Sequence, residues 1–161
     1  MTTLILVRHA KSDWGDPGLD DHDRPLNARG RGDAPAAARR LASRLAASGI
    51  GVEALLTSTA LRAATTAGFF GAELGLEPEP DPDLYGASAR TLLEAAAARG
   101  ARSVMVVAHD PGMTVLAERL SGGGIGHMPT CAVATFRWDT SDWEVATALD
   151  PDVWDIDTPG R

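Results

Sequence analysis

The chain has 161 residues, enough for one domain that buries roughly two-thirds of the surface its unfolded form exposes. Its 44% hydrophobic and 23% charged content is that of an ordinary water-soluble domain, and no apolar run approaches the length of a membrane-spanning helix. A net charge of −7, from 15 Lys and Arg against 22 Asp and Glu, argues against a nucleic-acid binder, which carries a basic face. The single cysteine, Cys131, precludes an internal disulfide, and no cationic stretch precedes the short apolar run at the N-terminus. A cytoplasmic protein without a secretory leader is therefore expected, with Cys131 packing as a small hydrophobe.

In chain order, residues 4–7 read as a buried strand that ends abruptly in Arg8 and His9. Residues 11–27 are polar, broken by Gly15, Pro17, Gly18 and Pro25, and read as a loop over that strand end. Five aspartates crowd it (Asp13, Asp16, Asp20, Asp21 and Asp23), which solvation explains. Residues 35–47 are alanine-rich, with Leu41 and Leu45 one turn apart, and form an amphipathic helix closing near Gly49. A second strand spans 52–57. Ser58 or Thr59 would cap the helix that follows over 60–74, placing Arg62 in its first turn. A third helix runs from Ala87 or Ser88 to Arg99.

Residues 103–108 repeat the design of the first strand and end in His109. Asp110 as cap and Pro111 as first helical residue then open a helix reaching Leu120. The Gly122-Gly123-Gly124-Ile125-Gly126 segment lacks the Gly-Lys-Ser/Thr ending of a phosphate loop and follows a helix, so it reads as a flexible connection. Strands over 131–138 and 143–149 flank a hairpin-length turn, and 150–161 reads as an irregular acidic tail after a single domain at 1–149. The alternation of strands and helices predicts a three-layer α/β/α domain, its central sheet mostly parallel with antiparallel pairing at one edge.

In open α/β sheets ligands bind at the carboxyl ends of strands. If the three strands are neighbours, Arg8, His9, Arg62 and His109 meet there, joined by helix amino ends that favour an anion. Two arginines offer planar forks suited to phosphate oxygens. Two histidines divide the labour: one, neutral, attacks phosphorus; the other, protonated, stabilises the transferring phosphoryl group. Repulsion from the arginines would keep the nucleophile neutral, and its second ring nitrogen should donate to a backbone carbonyl. The arginines supply the charge that a metal otherwise would, so no metal or other cofactor is expected. A zinc site at His9 and His22 is disfavoured by the same arginines.

Residues 4–11 resemble the signature of the histidine phosphatase superfamily, and Arg8-His9-Ala10-Lys11-Ser12 resembles its SixA-type phosphohistidine phosphatase branch. Further blocks agree in order: Asp23-Arg24-Pro25-Leu26-Asn27 with Gly30, Ser58 to Ala63 with Thr66-Ala67, Leu84-Tyr85-Gly86, and His109 to Met113. The resemblance covers residues 3 to about 138 and implies a phosphoglycerate-mutase-like fold. It implies a phosphoenzyme on His9, with Arg8, Arg62 and His109 lining the phosphate pocket and Arg24 beside it. Larger relatives add an acidic proton donor. Asp83 is the nearest candidate here, and the match is loose, which favours an easily expelled leaving group such as phosphohistidine. The partner expected is thus a phosphorylated protein. A small phosphomonoester and a non-catalytic phosphate-binding module are the alternatives, with no nucleic acid and no membrane involved.

Overall fold

The computed structural model describes residues 1–160. A single six-stranded sheet runs in the order β3-β2-β4-β1-β5-β6, with β1 at Thr2–Arg8, β2 at Ala54–Thr57, β3 at Glu79–Pro80, β4 at Ser103–Ala108, β5 at Val133–Trp138 and β6 at Val153–Asp157. The first four are mutually parallel, whereas β5 runs antiparallel to β1 and β6 antiparallel to β5. Strand β1 is buried on both faces, and its alternation sorts two cores: Leu4 and Leu6 pack to one side, Ile5 and Val7 to the other.

Helices α1 (Ala28–Ser48) and α2 (Leu61–Leu74) cover the Ile5 face through Leu41, Ala63 and Phe70. Helices α3 (Ala89–Ala98), α4 (Gly112–Leu120) and α5 (Trp143–Ala148) cover the other through Leu92, Met113, Leu116 and Ala146. The three-layer α/β architecture is the one the sequence predicts.

Several elements differ from expectation. Helix α1 begins at Ala28, a full two turns before Pro35, because Asn27 caps it with a side-chain bond to the Gly30 amide at 2.9 Å. Residues 143–149 are not a strand: Asp142 accepts the Glu144 amide at 2.9 Å and starts α5, which buries Trp143 and Ala146 on one face. The antiparallel partner of β5 is β6, within the segment expected to be an irregular tail. Its aspartates do not oppose this, since Asp157 pairs with Arg40 of α1 at 2.9 Å.

Candidate active site

Sheet register brings three carboxyl ends level. Arg8 pairs with Ala108 across β1 and β4, and Thr57 with Val107 across β2 and β4. His9, Ser58 and His109 therefore emerge side by side. The His9 amide donates to the Ala108 carbonyl at 3.1 Å, and the Ser58 amide to the Val107 carbonyl at 3.0 Å. Behind them Cys131 adopts φ +64°, and its amide donates to the carbonyls of Arg8 and His9 at 3.0 and 3.1 Å. Its buried thiol, pushed up to about 12 chiefly by burial, packs as a small hydrophobe. The glycine at 30 fits its place because a Cβ there would fall on the Lys11 carbonyl, the acceptor of the Asn27 amide.

His9 is buried, and its Nδ1 lies 2.7 Å from the Ala10 carbonyl oxygen. A carbonyl only accepts, so Nδ1 carries the proton and Nε2 keeps its lone pair. Burial above all, then Arg62, Arg8 and Arg24, lowers the imidazole pKa to about 4, against the opposing pull of the Ala10 carbonyl. Solvent exclusion is thus the larger cause, where charge repulsion alone was expected. The Ala10 amide in turn donates to Thr66 Oγ1 at 3.0 Å, and that hydroxyl donates to the Arg62 carbonyl at 2.8 Å.

His109 stands beside His9 with ring centroids 5.1 Å apart. The Ser58 Oγ, which accepts the Ala60 amide at 3.3 Å, sits 2.7 Å from His109 Nε2. That contact ties the His109 ring to the strand end that carries Ser58. Burial first, then His9, Arg62 and Arg8, lowers the His109 pKa to about 3, opposed by Asp21. In the unliganded protein His109 is therefore neutral. A buried imidazole amid cations does not hold a second proton by itself, so the protonated partner expected from sequence would need the negative charge of a phosphoryl group beside it.

Arg8 reaches the Met128 carbonyl at 2.9 Å and the Asp110 carboxylate at 3.5 Å. Asp110 is not the formal cap of α4, which Pro111 occupies, but its Oδ1 accepts the Thr114 amide at 2.8 Å. Likewise Ala60 caps α2 while Ser58 turns to His109. Arg62, at the start of α2, is 5% exposed and grips Asp21: Nη1 donates to its backbone carbonyl at 2.6 Å and Nη2 to Oδ2 at 2.9 Å. Among the described residues, the buried Arg8 Nε, Arg62 Nε and His109 Nδ1 have no hydrogen-bond partner. Three cationic or N–H groups offered at one strand edge suit a tetrahedral oxyanion.

Arg24 is 7% exposed, bonding Asp21 at 3.1 Å and Ser12 at 3.1 Å, with its guanidinium 3.4 Å from the Trp14 ring centre. Asp83 is exposed, in the 3-10 turn at Pro82–Leu84, and lines a groove with Glu79, Pro80 and Glu94. The residue that reaches the histidines from this segment is Tyr85, edge-on to His109 at 5.5 Å and to His22 at 4.9 Å. His22 Nε2 meets Thr59 Oγ1 at 2.8 Å, and His127 is exposed.

Ser58, Thr66, Asp21 and Tyr85 thus join the cluster without having been given a role in the site from sequence. Ser58 had a legible signal, standing one residue past a strand end as His9 and His109 do. Asp21 had none among five neighbouring aspartates.

A mixed α/β sheet with paired histidines and arginines at its carboxyl edge defines a phosphoryl-handling site. Residues 4–89 match the family model of the histidine phosphatase superfamily, branch 1. An uncharacterized chloroplastic protein of Arabidopsis thaliana is 30% identical over 96% of this chain and 75% of its own length. The crystal structure of an Agrobacterium tumefaciens protein provisionally named phosphohistidine phosphatase SixA is similar at a TM-score of 0.80, with 28% identity and 98% of each chain covered. A mycobacterial glucosyl-3-phosphoglycerate phosphatase shares the fold at a TM-score of 0.63, with 19% identity and 97% of each chain covered. The chain belongs to the histidine phosphatase superfamily, and it is a phosphatase of the SixA-type branch.

Proposed function

We propose that this phosphatase takes a phosphoryl group onto His9 Nε2, releases it to water, and acts by preference on phosphohistidine carried by a protein. The observation that carries the mechanism is the bond from His9 Nδ1 to the Ala10 carbonyl at 2.7 Å, which leaves Nε2 unprotonated at the strand edge. Nε2 attacks phosphorus as the bond to the leaving group breaks, and the electron pair of that bond goes to the leaving atom. Arg8 and Arg62 would receive the phosphoryl oxygens through their unpartnered Nε groups, with His109 donating from Nδ1. Arg24 would support the pocket beside them. Water then attacks the phosphohistidine, returning the pair to Nε2 and yielding phosphate.

The substrate reading is supported by the similarity to the Agrobacterium tumefaciens protein along its whole length. The test is phosphate release from a phosphohistidine-bearing protein and from a panel of sugar phosphates and nucleotides, each with the wild-type chain and with Asp83→Asn. Fast release from the protein substrate, with Asp83→Asn unimpaired, is expected. Efficient turnover only of a small ester, lost in Asp83→Asn, would move the function to small-molecule phosphomonoesters. Tight phosphate binding with no turnover of either would make the chain a binding module.

A further inference from the structure

The acidic loop over the site places one carboxylate, Asp21, where nothing in the reaction outlined above uses it. Its Oδ2 accepts from Arg62 Nη2 at 2.9 Å and from the Tyr85 hydroxyl at 2.6 Å, while Oδ1 accepts from Arg24 Nε at 3.1 Å. A carboxylate has about four acceptor positions, so one on Oδ1 is left. The Asp21 side chain is 50% exposed although both arginines holding it are nearly buried, so the carboxylate lies partly in solvent beside them. Through Tyr85, whose ring meets His109 edge-on at 5.5 Å, the carboxylate is linked to His109.

We propose that Asp21 is a leaving-group residue: it stays ionised and accepts the free N–H of a protonated phosphohistidine ring, selecting a leaving group that brings its own proton. The proposal rests on the phosphohistidine reading given above. The chemistry follows from the ring. When phosphohistidine is protonated on its distal nitrogen, breaking the P–N bond returns the electron pair to the proximal nitrogen and releases neutral imidazole, with the distal proton unmoved. His9 Nε2 gains the phosphoryl group and becomes the cationic ring, its Nδ1 proton still donated to the Ala10 carbonyl. The two ends are thus matched, one N–H facing a carbonyl and the other a carboxylate, and no proton has to move during transfer.

An alkoxide leaving group is different, because it must acquire a proton. Neither nearby group is suited to give one. The Tyr85 hydroxyl above all, then Arg62 and Arg24, holds Asp21 well below the usual carboxylate range against the opposing effect of burial. Tyr85 is raised by the same bond and keeps its proton. The other titratable groups around Asp21 are Asp20, His22 and Asp23 on its own turn, with His109 behind Tyr85.

The test compares wild type with Asp21→Asn on a phosphohistidine peptide and on p-nitrophenyl phosphate, whose leaving group departs as a stable anion. The loss on the peptide should exceed the loss on the nitrophenyl ester by about tenfold, the worth of one hydrogen bond between charged groups. The alkaline limb of kcat on the peptide, set by deprotonation of the bound substrate ring, should shift to lower pH in the variant. Equal losses on both substrates with an unmoved limb would make Asp21 only an anchor for Arg62, and overturn the proposal. Wild-type turnover of the ester with none of the peptide would instead overturn the phosphohistidine reading beneath it. Asp21→Glu, which keeps the charge, should recover part of the peptide activity if the carboxylate is what the ring needs.

Discussion

At the scale of single residues, the site is a set of decisions about where protons sit. The Ala10 carbonyl fixes one for His9, and Ser58 holds the His109 ring by a hydrogen bond. Ser58→Ala removes the hydroxyl 2.7 Å from His109 Nε2 and takes away the bond that holds the ring. A loss of about tenfold in kcat is expected, with a smaller change in KM, because one hydrogen bond to a neutral buried group is at stake. Steady-state kinetics on the preferred substrate checks this, and unchanged kcat would show that something else holds the His109 ring. Arg8, His9, Arg62 and His109 were legible because each stands at a strand end or in the first helical turn beyond one. The neutrality of His109 was not legible, since burial is a property of the folded chain: both faces of β4 are covered before the ring is reached.

At the scale of elements, the strands that carry the site were readable from their composition. Strands β1 and β4 are continuous apolar runs because they lie at the middle of the sheet, with no face in water. The peripheral elements were harder. Strand β6 is an edge strand with an exposed Val-Trp-Asp-Ile-Asp sequence, so its pattern is that of a polar tail until β5 is available to pair with it. Helix α5 has only six residues, too few for helical spacing to show, and its start depends on the Asp142 cap. The two-residue strand β3 has no sequence pattern at all; it forms because the Asp81 amide and its neighbours can follow β2, with Asp81 donating to the Thr57 carbonyl at 2.9 Å. The proline at position 35 misled the reading of α1, whose first turns are set by Asn27 and by the close approach of Gly30 to Lys11.

At the scale of the whole molecule, the site has a cost in acid. His9 and His109 take up protons less readily when folded, at about 4 and about 3, than at their ordinary value of 6.5. Between those values the unfolded chain binds more protons, so stability is full above pH 6.5 and falls as pH drops through 6.5 toward 4. The thermal midpoint should therefore decline from pH 7 to pH 5, above the range where most carboxylates titrate, and decline less in a His9→Asn, His109→Asn double variant. A decline of the same size in both proteins would assign the acid sensitivity to other groups.

The central claim is that the phosphoryl group passes through His9, and it is tested most directly by trapping it there. A protein carrying radiolabelled phosphohistidine would be mixed with an excess of enzyme, quenched within one turnover at alkaline pH, and the label located by peptide mapping. An acid-labile label on the peptide containing His9, absent in His9→Ala together with at least about a thousandfold loss of turnover, is the predicted result. Phosphate release at an undiminished rate by His9→Ala, with no label on the wild-type enzyme, would contradict it.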